Sequence, residues 1–363
     1  MSVEAEFLPG LELSRVFYDE AVLPLLESRF PRLRHSAALI GAGSEVQGFD
    51  TTVSTDHGWG PRLQLFLDAG DLERHGAELT AELSRRLPAT VRGWPTRFRK
   101  PDTDTSYMLQ WDPGTGEPRV EVVDSDSWFR EQLGVDATRD LDAREWLCVP
   151  QQYLAEVTAG EVFHDGLEQL GPIRNRLAWY PDEVWRYLLA CQWQKLSQEE
   201  PFVGRTAQVG DELGSAVVAA RQVREVMRLA LLMARRYASY SKWLGTAFTR
   251  YVPGSREIGA TLRAAMATTS IAEREARLCD AYEELARWHN ALGLTAELDP
   301  HRRPFHDRPF PVLGAERFAV ALRETLTDPE LKRLPLTGAV DQWADNTDYI
   351  AQAPAIAASV SAL

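Results

Sequence analysis

The sequence predicts an α+β protein. A mixed sheet with helices occupies residues 1–143, an all-helical bundle follows over 144–300, and residues 301–363 form a Pro-broken linker, a closing helix and a tail. Three observations predict this. Short apolar runs near 36–40 and 62–67 are bounded by Gly-rich turns, a strand signature. From Arg144 onward, apolar residues recur at helical spacing in long segments. The stretch HRRPFHDRPFPV (His301 to Val312) then interrupts that period with prolines.

The elements follow in order. Val16, Phe17, Ala21 and Leu25 recur at helical spacing and predict a helix over 11–30, kinked at Pro24. Ser36 to Ile40 reads as a strand, after which Gly41 and Gly43 let the chain turn sharply. A second strand runs from Arg62 to Leu67, and Asp71 to Arg86 reads as a surface helix. Ser106 to Trp111 and Arg119 to Val123 read as a hairpin joined by the turn-forming DPGTGEP. Helical periodicity then predicts Trp146–Thr158, Pro181–Leu196, Asp211–Tyr240, Ser255–Ala267, Ile271–Leu292 and a closing helix over Ala315–Thr325. Asp211 is placed as an N-cap. Arg221, Arg224 and Arg228 share one stripe of the third of these helices and are expected to form a solvated or salt-bridged face.

Composition narrows the function classes. With 363 residues, 44% hydrophobic and 26% charged, the chain is long enough for two cores. The net charge of -13 disfavours broad nucleic-acid binding and suits carboxylates that collect divalent metal. Cys148, Cys191 and Cys279 fit neither a zinc site nor a disulfide framework, so reduced thiols in a cytoplasmic protein are expected. No apolar stretch reaches bilayer length.

The chemistry concentrates in LIGAGSEVQGFDTTVSTDHGWGPRLQLFL (Leu39 to Leu67). A strand leads to a Gly-Ser turn (Gly43, Ser44). Asp56 then precedes a second strand. Nucleotidyltransferases use this layout to hold a nucleoside triphosphate and its metal. Phosphoryl transfer needs phosphates positioned and their charge neutralised. A Gly-Ser turn at the mouth of a helix offers backbone N–H groups and a hydroxyl, while carboxylates on adjacent strands hold Mg2+. Strand positions two apart share a face, so a second carboxylate is expected at position 58, where this chain has Gly58; His57 is read as structural. Glu121 is the candidate third carboxylate, facing away from the core side of Val120 and Val122. Asp124 competes with it, and Asp50 could replace the missing ligand.

The stretch GSEVQGFDTTVSTDHGWGPRLQLFL is similar to the N-terminal signature of a bacterial family of unknown function with a nucleotidyltransferase-like domain. The resemblance continues in RLAWYPDEVWRYLLACQWQKLSQEEPFVGR (176–205), GDELGSAVVAARQVREVMRLALLM (210–233), YASYSKWLGTAF (237–248) and RPFPVL (308–313). It implies a nucleotidyltransferase-like mixed sheet followed by a helical domain, with Gly43 and Ser44 on the triphosphate, Asp56 as first metal carboxylate, Gly58 as a departure at the second, and Glu121 at the third. A helical domain in such enzymes shapes the acceptor pocket. Its candidates here are Glu200 and Asp211 as bases, and Arg205 and Lys242 as phosphate partners, against the alternative of caps and interhelical salt bridges.

The expected function is Mg2+- or Mn2+-dependent transfer of a nucleoside monophosphate from an NTP to a hydroxyl of a small-molecule acceptor. The alternatives are a weakened or inactive fold that binds a nucleotide or small ligand, and an interaction protein that docks a partner on its aromatic helical face. Neither nucleic acid nor a membrane is an expected partner.

Overall fold

A computed structural model describes residues 6–55, 58–99 and 109–352. The fold is mixed α+β and divides into two compact units: residues 1–141 with 153–178, and residues 142–152 with 179–363.

The first unit opens with α1 (Gly10–Phe17) and α2 (Leu23–Arg29), joined by a π-helical turn over Tyr18–Val22. The expected kink at Pro24 is therefore a widened turn just before the proline. Strand β1 (Ser36–Leu39) and β2 (Leu63–Phe66) follow, then α3 (Ala69–Arg86), capped by the Asp68 carboxylate on the Gly70 N–H at 3.1 Å. Next come β3 (Thr90–Val91), β4 (Trp94–Pro95), β5 (Arg97–Arg99), β6 (Gln110–Trp111), β7 (Glu117–Pro118) and β8 (Val120–Val123). Helix α4 (Ser125–Leu133) completes this run.

The hairpin read from 106–123 forms differently. β6 and β7 flank β5, and β8 joins the main sheet, parallel to β2 with Leu63 opposite Val120. DPGTGEP does turn the chain, but a turn signal does not name the strand's partner. Val120 and Val122 find theirs by packing on the core. Residues 100–108 lie outside the described residues.

The main sheet has the order β8-β2-β1-β9, with β9 spanning Glu161–Asp165 and β1 antiparallel to both neighbours. One face carries Ala37, Leu63 and Leu65 into a core with Phe17, Tyr18, Leu26, Leu79 and Leu83. By strand alternation the opposite face carries Ala38, Gln64, Phe66 and Glu121. There Trp128 of α4 meets Phe66 edge-on, with ring centroids 5.7 Å apart.

In chain order α5 (Ala143–Cys148) and α6 (Gln151–Thr158) follow α4 and precede β9. The sequence suggested one helix over 146–158. Pro150 divides it, because the residue before a proline avoids the helical region, and Val149 is extended (φ -85°, ψ 119°). Helix α7 (Leu170–Leu177) ends the first unit.

The second unit contains α8 (Asp182–Glu199), α9 (Phe202–Gln208), α10 (Glu212–Met233), α11 (Leu244–Tyr251), α12 (Ser255–Ala267) and α13 (Ile271–Ala291). A short hairpin, β10 (Arg303–Pro304) with β11 (Pro311–Val312), lies within the expected linker. Then follow α14 (Glu316–Thr325), α15 (Pro329–Arg333), α16 (Val340–Trp343) and α17 (Thr347–Ile350). Helix α10 stops short of Tyr240 because Arg235 turns into the left-handed region (φ 53°). Trp193 of α8 stacks on Phe318 of α14, centroids 4.6 Å apart, and donates its indole N–H to His289 of α13 at 3.2 Å. Cys148, Cys191 and Cys279 are buried free thiols. Among the described residues no helix is long and apolar enough to cross a membrane.

Candidate functional site

Because β1 and β2 are antiparallel and β2 and β8 parallel, three chain segments meet at one edge of the main sheet: the end of β1, the start of β2 and the start of β8. The Gly-Ser turn leaves β1 at this edge. Arg62 immediately precedes β2, and Arg119 immediately precedes β8.

The turn is built on backbone freedom. Gly41 has φ +89° and Gly43 φ +144°, which side chains with a Cβ rarely adopt. A Cβ on Gly43 would sit 2.4 Å from Arg62 Nη2 and 2.6 Å from Glu45 Oε2, so glycine is also needed for space. No helix follows the turn. Residues 44–48 form turns instead, with the Phe49 N–H donating to the Ser44 carbonyl at 2.8 Å. The expected phosphate seat at a helix mouth is therefore replaced by a turn.

Among the described residues, Arg62, Arg119 and Glu45 interact beside this turn. Arg62 donates Nε and Nη2 to Glu45 Oε1 at 2.9 and 2.7 Å and also reaches the Ala42 carbonyl. The pair is withdrawn from water, with side-chain exposures of 15% for Arg62 and 3% for Glu45. Arg119 donates to the Gly58 carbonyl and lies over the Phe98 ring. Burial pulls its guanidinium down to about 9, Arg62 pulls the same way, and Glu45 opposes them. It remains a cation at neutral pH. Among the described residues Glu45 is the carboxylate that pairs with Arg62, and backbone carbonyls take up part of the hydrogen-bonding capacity of both guanidiniums.

Gly58, where a metal carboxylate was expected, has φ +104°, and a Cβ there would lie 3.2 Å from Arg119 Nη2. An acid at 58 would be strained and would face a guanidinium. Asp56 and His57 lie outside the described residues. Asp50 is engaged elsewhere: its Oδ2 accepts the Gly10 N–H at 2.7 Å and the Trp59 indole N–H at 3.0 Å. Glu121 is exposed on β8, opposite Gln64, and accepts the Trp128 indole N–H at 3.2 Å. The same indole lies 3.1 Å from where a Gly41 Cβ would be, which puts Glu121 and the turn against one ring. Asp124 caps α4 through the Ser127 N–H at 2.8 Å. Among the described residues no three His, Cys, Asp or Glu side chains group to hold a metal ion.

The helical-domain candidates lie in the second unit and have local partners. Glu200 is buried at the end of α8 and accepts three backbone N–H groups, from Leu313 (2.8 Å), Gly314 (3.2 Å) and Ala315 (2.9 Å). Burial raises its pKa while those donors lower it. Asp211 caps α10 on the Gly214 N–H at 2.7 Å. Arg205 lies over Phe202, and Lys242 over Trp243. Capping and packing account for the contacts of all four.

The sequence reading missed Glu45, Arg62 and Arg119. The available signal was the matched apolar pattern of 63–66 and 120–123. Read as neighbouring parallel strands, it places the arginine before each side by side.

No curated protein and no solved structure matches the chain. Residues 146–244, from α5 to the first residue of α11, match the model of a family described as a domain of unknown function, DUF4037, so the chain carries a DUF4037 domain there.

Proposed function

We propose that the first unit is a nucleotide site of the nucleotidyltransferase kind, which binds a nucleoside triphosphate at the Gly41–Ser44 turn and passes its nucleoside monophosphate to a hydroxyl of a small molecule. The observation that carries this reading is the pair of guanidiniums, Arg62 and Arg119, beside a glycine turn at one edge of a mixed sheet. Paired guanidiniums attract a polyphosphate, and arginine's forked donors match phosphate oxygens. The turn's backbone N–H groups and the Ser44 hydroxyl would bind phosphate oxygens. Arg62 and Arg119 would neutralise their charge and hold the chain of phosphates in line.

Asp56 and Glu121 are the carboxylates such a site would offer to magnesium. Glu121 suits the task, being exposed and tethered to Trp128. Asp50 does not, because it ties Gly10 to Trp59. When bound, the ion would supply charge neutralisation across the triphosphate. Glu200 and Asp211 have no part in this reading.

A second reading, binding without turnover, is favoured by one observation: the backbone at Gly58 is incompatible with an unstrained acid. Thermal stabilisation by each nucleoside triphosphate, with and without Mg2+, separates the readings when measured alongside Arg119→Gln and Asp56→Ala. At roughly a hundredfold excess over Kd a ligand of the folded state adds about 2.7 kcal/mol. Transfer predicts stabilisation lost in Arg119→Gln, a Mg2+ dependence lost in Asp56→Ala, and label passing from the triphosphate to a hydroxyl acceptor. Stabilisation indifferent to Mg2+ and to Asp56→Ala supports binding alone. If no triphosphate stabilises the wild-type protein, both readings fail.

A further inference from the structure

A cavity of about 430 Å³ opens in the second unit among α8, α10 and the segment 336–345. Its volume is in the range of small-ligand sites. Lys195 on α8 and Arg221, Arg224 and Arg228 on α10 line it together with the carboxylates Glu225 and Asp345, while Glu199 and Asp341 act on these cations from just outside the lining. The arginines recur at i, i+3 and i+7, so they form one stripe along α10. All of these groups except Asp345 lie in the stretch that matches the family model.

The cavity's walls are fixed. Gln192, fully buried, donates to Glu225 Oε2 at 2.7 Å, and Lys195 lies 3.3 Å from Glu225 Oε1. Gln342 Nε2 donates to Gln192 Oε1 at 2.9 Å and to the Leu188 carbonyl at 3.1 Å, which locks α16 onto α8. Lys195 donates to the Gln342 carbonyl at 2.7 Å, and Arg228 Nη1 to the Asp341 carbonyl at 2.8 Å. Arg228 Nε is buried with no hydrogen-bond partner. Arg221 leans out to Glu199 at 3.1 Å.

Asp345 differs from these groups. Its carboxylate sits in the fork of Arg224, with Nη1–Oδ2 3.1 Å and Nη2–Oδ1 2.6 Å, yet its side chain is 75% exposed. The fork is bidentate, but the exposure of Asp345 screens it, so the pair contributes about 1 kcal/mol, the upper end for a surface ion pair. A planar oxyanion in an arginine fork, at the mouth of a cavity lined by three arginines and a lysine, occupies the position a phosphoryl group would take.

We propose that this cavity binds the phosphate group of a small phosphate monoester, with Arg224, Arg228 and Lys195 as its cationic contacts and Asp345 as the internal group that the phosphate displaces from Arg224. The polar side chains Gln198 and Thr337 on the lining suit a hydroxylated body behind the phosphate. This site stands independently of the Gly-Ser turn.

Calorimetric titration of the full chain with ribose 5-phosphate, with ribose and inorganic phosphate as controls, tests it. Trp343 lines the cavity, so its fluorescence provides a second readout. Saturable binding of ribose 5-phosphate is expected, with none of ribose. Asp345→Asn removes the internal competitor and should tighten binding about fivefold, the equivalent of about 1 kcal/mol. Arg228→Gln should weaken it about tenfold or more, while Arg119→Gln should leave it unchanged. The proposal is overturned by an absence of saturable binding at millimolar ligand. An Asp345→Asn protein that binds no better, or a loss of binding in Arg119→Gln, overturns it equally. Asp345 is exposed, so its substitution does not threaten the fold.

Discussion

Glu45 holds the first unit's glycine turn together, and its removal has consequences of opposite sign for stability and for ligand binding. Glu45 Oε1 lies 2.7 Å from Arg62 Nη2 with almost no exposure. At an effective dielectric of about 20 the attraction at this distance is about 6 kcal/mol. After desolvation, breaking such a buried pair by removing one partner costs about 3–5 kcal/mol. The two partners are not equivalent. Glu45→Gln removes the carboxylate that pairs with Arg62 and opposes the mutual repulsion of Arg62 and Arg119. Arg62→Gln leaves Glu45 with Arg119, whose cation it already favours. Glu45→Gln should therefore cost about 3–5 kcal/mol, and Arg62→Gln about 1–2 kcal/mol less. For a unit of this size that corresponds to a Tm lowered by roughly 6–20 °C for the first variant. Differential scanning calorimetry reads both shifts. Stabilisation by a nucleoside triphosphate should meanwhile grow in Glu45→Gln, because Arg62 is released from its carboxylate partner. A Glu45→Gln cost below about 1 kcal/mol, or a larger cost for Arg62→Gln than for Glu45→Gln, would refute this account of the turn's electrostatics.

Two further outcomes follow from the same structure. Gly58→Asp should cost on the order of 1–3 kcal/mol in backbone strain and place its carboxylate on Arg119, so triphosphate stabilisation falls and Mn2+ affinity, read by electron paramagnetic resonance, does not rise; a tenfold rise would return position 58 to the metal. His289, buried against Trp193 and Phe318, has its pKa lowered from 6.5 to about 4 by burial. The unfolded chain therefore takes up a proton that the folded one refuses: stability from this group is complete above about 6.5 and is lost as pH falls toward 4, on the order of 3 kcal/mol in all. Urea titrations between pH 7.5 and 4.5 should show that loss shrinking in His289→Gln, and an equal pH dependence in both proteins would exclude His289 as its source.

Periodicity and turn chemistry determined much of this protein before any tertiary information. The apolar spacing of Ser255–Ala267 and Ile271–Leu292 marks helices whose structural ends agree to within a residue, because caps and period are local properties. Asp211 as an N-cap was legible for the same reason. The glycines at 41 and 43 announced a tight turn, and both indeed have positive φ. The alternation of Val120, Glu121 and Val122 already put Glu121 on the face away from the core.

Only the tertiary structure decided which strands are neighbours. Strand pairing joins residues far apart in sequence, and nothing local in 119–123 says that its partner is 63–66 rather than 106–111. The guanidinium pair at the turn depends on that choice, since Arg62 and Arg119 are 57 positions apart in the chain and come together because two parallel strands start level. The same holds for the cavity of the second unit. The stripe of Arg221, Arg224 and Arg228 is visible along one helix, but whether it faces solvent or encloses a space depends on where residues 336–345 fold back, and the hydrogen bonds of Gln342 to Leu188 and Gln192 set that position.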